Sequence, residues 1–187
     1  MRTAYDRLVD HFREHEFRFL QCDEQRSVTA DFCSEVGTFR VVARVSEEDR
    51  LFHVFANLPI RIPEGARREV SEAMARANFG FKLGHFEMDW DDGELMFHAS
   101  HLLSGGPATA EDGELGETVD ESAGEMASEL AESGAGEASE LLEEWVIVRL
   151  ISVSLSMLDK YTPAFLSIVF ANESARDAVA RVEAPPA

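Results

Sequence analysis

Lysine is nearly absent from this chain. Two lysines, Lys82 and Lys160, stand beside fifteen arginines, and 17 basic residues face 36 acidic ones, for a formal net charge of −19. Such a chain is a poor partner for nucleic acid, whose phosphates demand a basic face. It is equally poorly suited to anionic membrane surfaces, which attract polybasic segments. The scarcity of Lys beside Arg fits either a salt-adapted proteome or GC-rich coding. Cysteine is also scarce. Cys22 and Cys33 lack CxxC spacing and are too few for a disulfide framework, so free thiols, at least one of them buried, are expected. No run reaches the roughly 18 apolar residues of a membrane span. The nearest, 145–158, contains Arg149 and three serines. The N-terminus lacks the apolar stretch of a secretory signal, which makes the cytoplasm the default location. Two Tyr and two Trp against thirteen Phe point to a Phe-rich core.

Catalytic signatures are missing as well. No Gly-x-Ser-x-Gly, phosphate loop or dinucleotide fingerprint is present, and Gly105-Gly106-Pro107 leads into no Lys-bearing helix. Cys33 has no obvious basic neighbour to lower its pKa. These absences predict a non-enzymatic protein with no cofactor and no resident metal.

What is present reads as an α+β domain. Thr3 followed by Asp6 marks a helix start, and Tyr5, Leu8, Val9 and Phe12 share one face, which predicts a first helix over about 3–15. Phe39, Val41, Ala43 and Val45 alternate with Thr38, Arg40, Val42 and Arg44, the period of a half-buried strand. Residues 27–36 form its hairpin partner, with the turn near Gly37. Residues 47–50 read as a polar turn and 51–60 as a further strand. Pro63 opens a second helix over 63–79. Phe86, Met88 and Trp90 then face one way in a second hairpin, which turns at Asp91-Asp92-Gly93 and continues through Leu95, Phe97 and Ala99. Residues 141–160 alternate like a strand around Ser152, Ser154 and Ser156 but have the length of a helix, which is the preferred reading. Thr162-Pro163 reads as the start of a separate short helix to Phe170, and 174–182 as a last amphipathic turn or two. Local hairpins without βαβ alternation mean an antiparallel sheet, here of five strands in the order α-β-β-β-α-β-β-α, with helices packed on it.

Between the last strand and the third helix lies a biased stretch. From Ser104 to Glu144 there are thirteen acidic residues and no Lys or Arg. Residues 104–140, made chiefly of Gly, Ala, Ser, Thr and Glu, cannot bury enough apolar area to offset the cost of ordering. They are expected to form a flexible acidic insertion in a single domain spanning 1–187.

The motifs Leu58-Pro59, Pro63, Asn78, Gly84-His85-Phe86-Glu87-Met88-Asp89 and Asp92-Gly93-Glu94, in this order and spacing, resemble the YbjN family. Asp159-Lys160-Tyr161-Thr162-Pro163-Ala164-Phe165 is similar to that family's Asp-x-Tyr-x-Pro-x-Leu stretch, with Phe in place of Leu. The resemblance spans about 27–103 and 141–183; the acidic insertion departs from it. It implies a fold similar to type III secretion chaperones, small acidic proteins that are often dimers and hold partner polypeptides. It also implies a regulatory, sensory-transduction-type role.

Three residues stand out as a possible partner interface. Arg149, inside an apolar helix, either reaches solvent at the helix edge, pairs with Glu144 or another carboxylate, or marks an interface that a partner carboxylate completes. His85 and His98 look outward from the second hairpin and could approach each other and His101. Cross-strand polar pairing is the expected reading, and a metal site the minor one. His11 and His15, four apart on the first helix, have a ligand spacing but no third ligand in sight, so they read as surface or boundary histidines. Asp89–Glu94 lacks the positions of a calcium loop and reads as a hairpin turn. The expected function is a protein-binding module, chaperone-like or regulatory, that engages another protein or peptide segment; a homodimer is what the resemblance alone implies. The alternative is a small-molecule or metal-ion sensor using the His-rich hairpin.

Overall fold

A computed structural model describes residues 2–46, 50–103 and 142–185. The chain opens with α1 (Ala4–Glu14), which starts at a capping box: Thr3 Oγ1 accepts from the Asp6 N–H, and the Asp6 carboxylate accepts from the Thr3 N–H. Tyr5, Leu8, Val9 and Phe12 are buried on one face, as their spacing requires. Three strands and a fourth follow: β1 (Phe19–Cys22), β2 (Ser27–Cys33), β3 (Thr38–Ser46) and β4 (Leu51–Asn57). Then come α2 (Glu64–Asn78), β5 (His85–Met88), β6 (Leu95–Leu102), α3 (Glu144–Ala171) and α4 (Ala175–Glu183).

The sheet is antiparallel with strand order β1-β2-β3-β4-β6-β5. It has six strands where five are expected. The extra strand is β1, four residues long, paired in register from Phe19 opposite Ala30 to Cys22 opposite Ser27. It carries no clean alternation, and the turn after it, 23–26, holds no Gly or Pro. Arg26 itself takes the left-handed conformation there, at φ 48°.

One sheet face is dry. Val41 lies opposite Ala56, Ala43 opposite Val54, Ala56 opposite Phe97 and Val54 opposite Ala99, and all are buried. The helices lie on this side. Phe12 of α1 packs edge-on against Phe19, with ring centroids 5.5 Å apart. Phe86 of β5 meets Tyr161 and Phe165 of α3 at 5.5 and 5.1 Å, and Phe97 of β6 at 5.1 Å. These edge-on contacts fall in the range where aromatic pairs attract beyond the area they bury. The core is therefore Phe-rich, as composition predicts.

Two glycines and one asparagine set the second hairpin. Gly93 (φ 77°) lies where a Cβ would overlap the Ile62 carbonyl, and its own carbonyl accepts from the Ile62 N–H at 2.8 Å. Gly84 (φ 74°) faces the Phe97 ring in the same way. Asn78, at the end of α2, accepts from the Phe86 N–H at 2.8 Å and donates to the Phe86 carbonyl at 3.0 Å, which fastens the helix to β5.

Four further expectations need correction. The third and fourth elements of the helical layer are not split at Thr162-Pro163; α3 runs unbroken through Pro163. An interior proline costs roughly 3 kcal/mol. Here burial continues across it at Leu158, Tyr161, Thr162, Ala164, Phe165 and Ile168, which holds the helix together. The strand at 51–60 ends at Asn57. Trp90 is not part of the second hairpin's inner face but lies in the turn, 57% exposed. Neither thiol is buried: Cys22 is partly covered and Cys33 exposed, both reduced. The expected insertion at 104–140, and residues 47–49 of the polar turn, lie outside the described residues. No helix among the described residues is long and apolar enough to cross a membrane.

Candidate functional site

Period-two alternation that sends Phe52, Val54 and Ala56 to the helices sends Leu51, His53, Phe55 and Asn57 to the other side of the sheet. No described helix covers that side. The register aligns one residue from every strand there: Leu20 beside Thr29, then Val42, Phe55, His98 and His85. Leu20 is 76% exposed, and Leu102, at one end of the same face, is 66% exposed.

The middle of this row is an aromatic ledge. Phe55 stacks on His98 at 4.3 Å and 23° and on His53 at 5.8 Å and 17°. His53 Nδ1 and His98 Nε2 share a hydrogen bond of 3.0 Å. Glu87 closes the group, 3.6 Å from His98 Nδ1 and 3.4 Å from His85 Nε2. The ligand atoms of His85, Glu87 and His98 lie within 4.8 Å of one another. Burial, partly opposed by Glu87, holds the His98 pKa below its ordinary 6.5, so this imidazole is neutral at pH 7. Polar contacts elsewhere on the face are lateral, such as Arg40 to Asp31 at 3.0 Å. The face therefore presents apolar and aromatic side chains at its centre and paired charges beside them rather than a field of one charge.

The structure brings His85 and His98 together as a register pair, with ring centroids 5.4 Å apart. His101 does not join them. It sits three residues after His98, which turns it to the helix side, where it meets Trp145 at 6.0 Å. Arg149 belongs to a different surface. It is exposed on α3 beside Trp145 and Val148, which are 56% and 45% exposed. Glu144 is not its partner. Sequence reasoning missed His53, since its pairing with His98 depends on β4 and β6 being neighbours across the intervening α2 and β5.

A second histidine group forms on the helix side of the sheet, between α1 and α3. His11 and His15 of α1 both lie 3.5 Å from the Glu144 carboxylate, at the first residue of α3. The third group that the sequence did not reveal is therefore Glu144, far along the chain. His11 is buried, not a surface residue, at 6% exposure. Nearby, Asp23 accepts a 2.8 Å hydrogen bond from Tyr5, and burial with that bond pushes the Tyr5 pKa up to about 12.

The YbjN family model, described as "Putative bacterial sensory transduction regulator", matches residues 4–132. That span runs from α1 through β6; it leaves the 159–165 motif outside. A crystal structure described as YbjN, "a putative transcription regulator from E. coli", is similar over 87% of this chain and 94% of that one. Its sequence identity is 11% and its TM-score 0.43. No curated protein matches the chain. With more than half of its length matched by the family model, this chain belongs to the YbjN family.

Proposed function

We propose that this protein is a regulatory, chaperone-like binding module that receives a segment of another protein on the open face of its sheet. One observation carries the reading: the six-strand row from Leu20 to His85, apolar and aromatic at its centre, on the side that no described helix covers. Partner-binding surfaces combine apolar and aromatic centres with a polar rim, and Phe55 with the His53–His98 pair fits that pattern. Acidic residues concentrated between 104 and 144 favour a basic partner through long-range attraction. The similarity to type III secretion chaperones and the homodimer are part of the same proposal and rest on the family resemblance. A cytoplasmic setting and the absence of catalysis belong to it too and rest on the sequence, which carries no catalytic signature and no apolar run of membrane-spanning length.

The test is affinity purification of the tagged full chain from its own cells, with Val42→Glu as comparison. Val42 is partly exposed at the centre of the row, so a charge there disturbs the surface and not the core. One protein recovered in stoichiometric amount by the native chain and lost with Val42→Glu supports the reading. Equal recovery by both places the interface elsewhere.

A second reading, metal-ion or small-molecule sensing, is favoured by the convergence of His85, Glu87 and His98. A metal-dependent rise in melting temperature that His98→Ala abolishes would support it.

A further inference from the structure

We propose that His11, His15 and Glu144 hold a divalent transition metal, zinc by the chemistry of the donors, which clamps α1 to the start of α3. The proposal is independent of the open sheet face.

The geometry carries it. His11 and His15 are one helical turn apart on α1, so their rings lie side by side, with centroids 4.3 Å apart. His11 Nδ1 and His15 Nε2 each lie 3.5 Å from Glu144 Oε1. That is long for a hydrogen bond, whose usual range is about 2.7–3.2 Å. It is the separation of two ligands on one tetrahedral ion, about 3.4 Å for metal–ligand bonds of about 2.1 Å. The three ligand atoms all lie within 4.8 Å of one another.

The proton positions point the same way. His15 Nδ1 faces the His11 carbonyl at 2.9 Å. A carbonyl only accepts, so Nδ1 carries the hydrogen, and Nε2, the nitrogen on the Glu144 side, is the one left to bind a metal. A ring nitrogen fixed by a backbone carbonyl on its far side is the usual support of a metal-bound histidine. His11 Nδ1 is buried and has no hydrogen-bond partner. Buried polar atoms are rarely left so. Two imidazole nitrogens and a carboxylate oxygen thus converge on one point. A cation there satisfies all three.

The surroundings admit it. Glu144 is 65% exposed, which leaves a side for water as fourth ligand. The group borders a cleft of about 210 Å³ where Arg2 and Arg7 are outnumbered by Asp10, Glu14 and Glu144. Two imidazoles select zinc over magnesium or calcium, which prefer oxygen alone.

The test uses the full chain, freed of metal with a chelator and titrated with zinc chloride, with magnesium chloride for comparison. Saturable zinc binding is expected, with a rise in melting temperature and no effect of magnesium. His15→Ala and Glu144→Gln are each expected to weaken zinc by at least about tenfold, as loss of even a supporting group does at metal sites. Both replace exposed side chains, so the metal-free variants should melt as the native chain does. His98→Ala should leave this binding intact. Absence of saturable zinc binding, or binding that survives both substitutions, would overturn the proposal. So would binding lost only with His98→Ala, which would put the metal at the other histidine group.

Discussion

Phe52 and Phe55 lie three residues apart on β4 and therefore on opposite faces, which makes them a direct test of which side is open. Phe52 is fully buried under the helices, at 0% exposure. Phe52→Ala leaves a cavity that the tightly packed layer cannot collapse, and such truncations cost about 3–5 kcal/mol. Phe55 is only partly buried, against His53 and His98. Full burial of a Phe side chain contributes about 1.5–3 kcal/mol, and water fills the space that Phe55→Ala leaves. The loss at position 55 should therefore be about 1–2 kcal/mol, including the weaker strand preference of Ala. Equilibrium unfolding in guanidinium chloride separates the two through their midpoints, at unchanged slope. In a thermal scan Phe52→Ala should lower the melting temperature by roughly 6–20 °C, given about 2–4 °C per kcal/mol at this chain length. An equal cost at both positions would refute the open face, since Phe55 would then be sealed by something. If that something were a second copy, the cost at 55 would grow with protein concentration.

Three other perturbations probe the second hairpin. Gly93→Ala puts a side chain at φ 77° against the Ile62 carbonyl and should cost about 1–3 kcal/mol in chemical denaturation. Asn78→Ala removes both bonds to the Phe86 backbone and leaves its N–H and carbonyl without these partners; a loss of about 1–3 kcal/mol is expected, read the same way. His98, faced by His53, His85 and Glu87, should titrate below 6.5 when followed by NMR. Its folded pKa lies below the unfolded one, so its contribution to stability is complete above about 6.5 and declines as the pH falls beneath that. His98→Gln should flatten the stability profile between about pH 7.5 and 5.5, around the unfolded value.

Local chemistry explains what could be read in advance. The Thr3–Asp6 box, the alternation of β3 and the Asp-Asp-Gly turn are all short-range signals, and the structure follows each. β1 escaped because it is four residues long and turns without glycine, with Glu16 and Arg26 taking left-handed conformations instead. Pro163 misled because a local rule for ending helices yielded to the burial of Tyr161 and Phe165 around it. The histidine groups show the same division. His85 and His98 face each other across one hairpin, so alternation sufficed to pair them. His53 and Glu144 join their groups through non-local packing, which no spacing along the chain encodes. Arg149 stood out as a charge in an apolar run, yet the buried stripe of α3 leaves it on the solvent side.

The claim that a partner protein occupies the open face is tested most directly by a photo-crosslinking residue placed at position 55, compared with one at position 79. Phe79 is 92% exposed at the end of α2, away from that face. Irradiation in cells should yield one discrete adduct with another protein from position 55, lost when Val42→Glu is added, and none of that mass from position 79. Adducts from 55 only with a second copy of the chain, or the same adduct from both positions, would contradict the account.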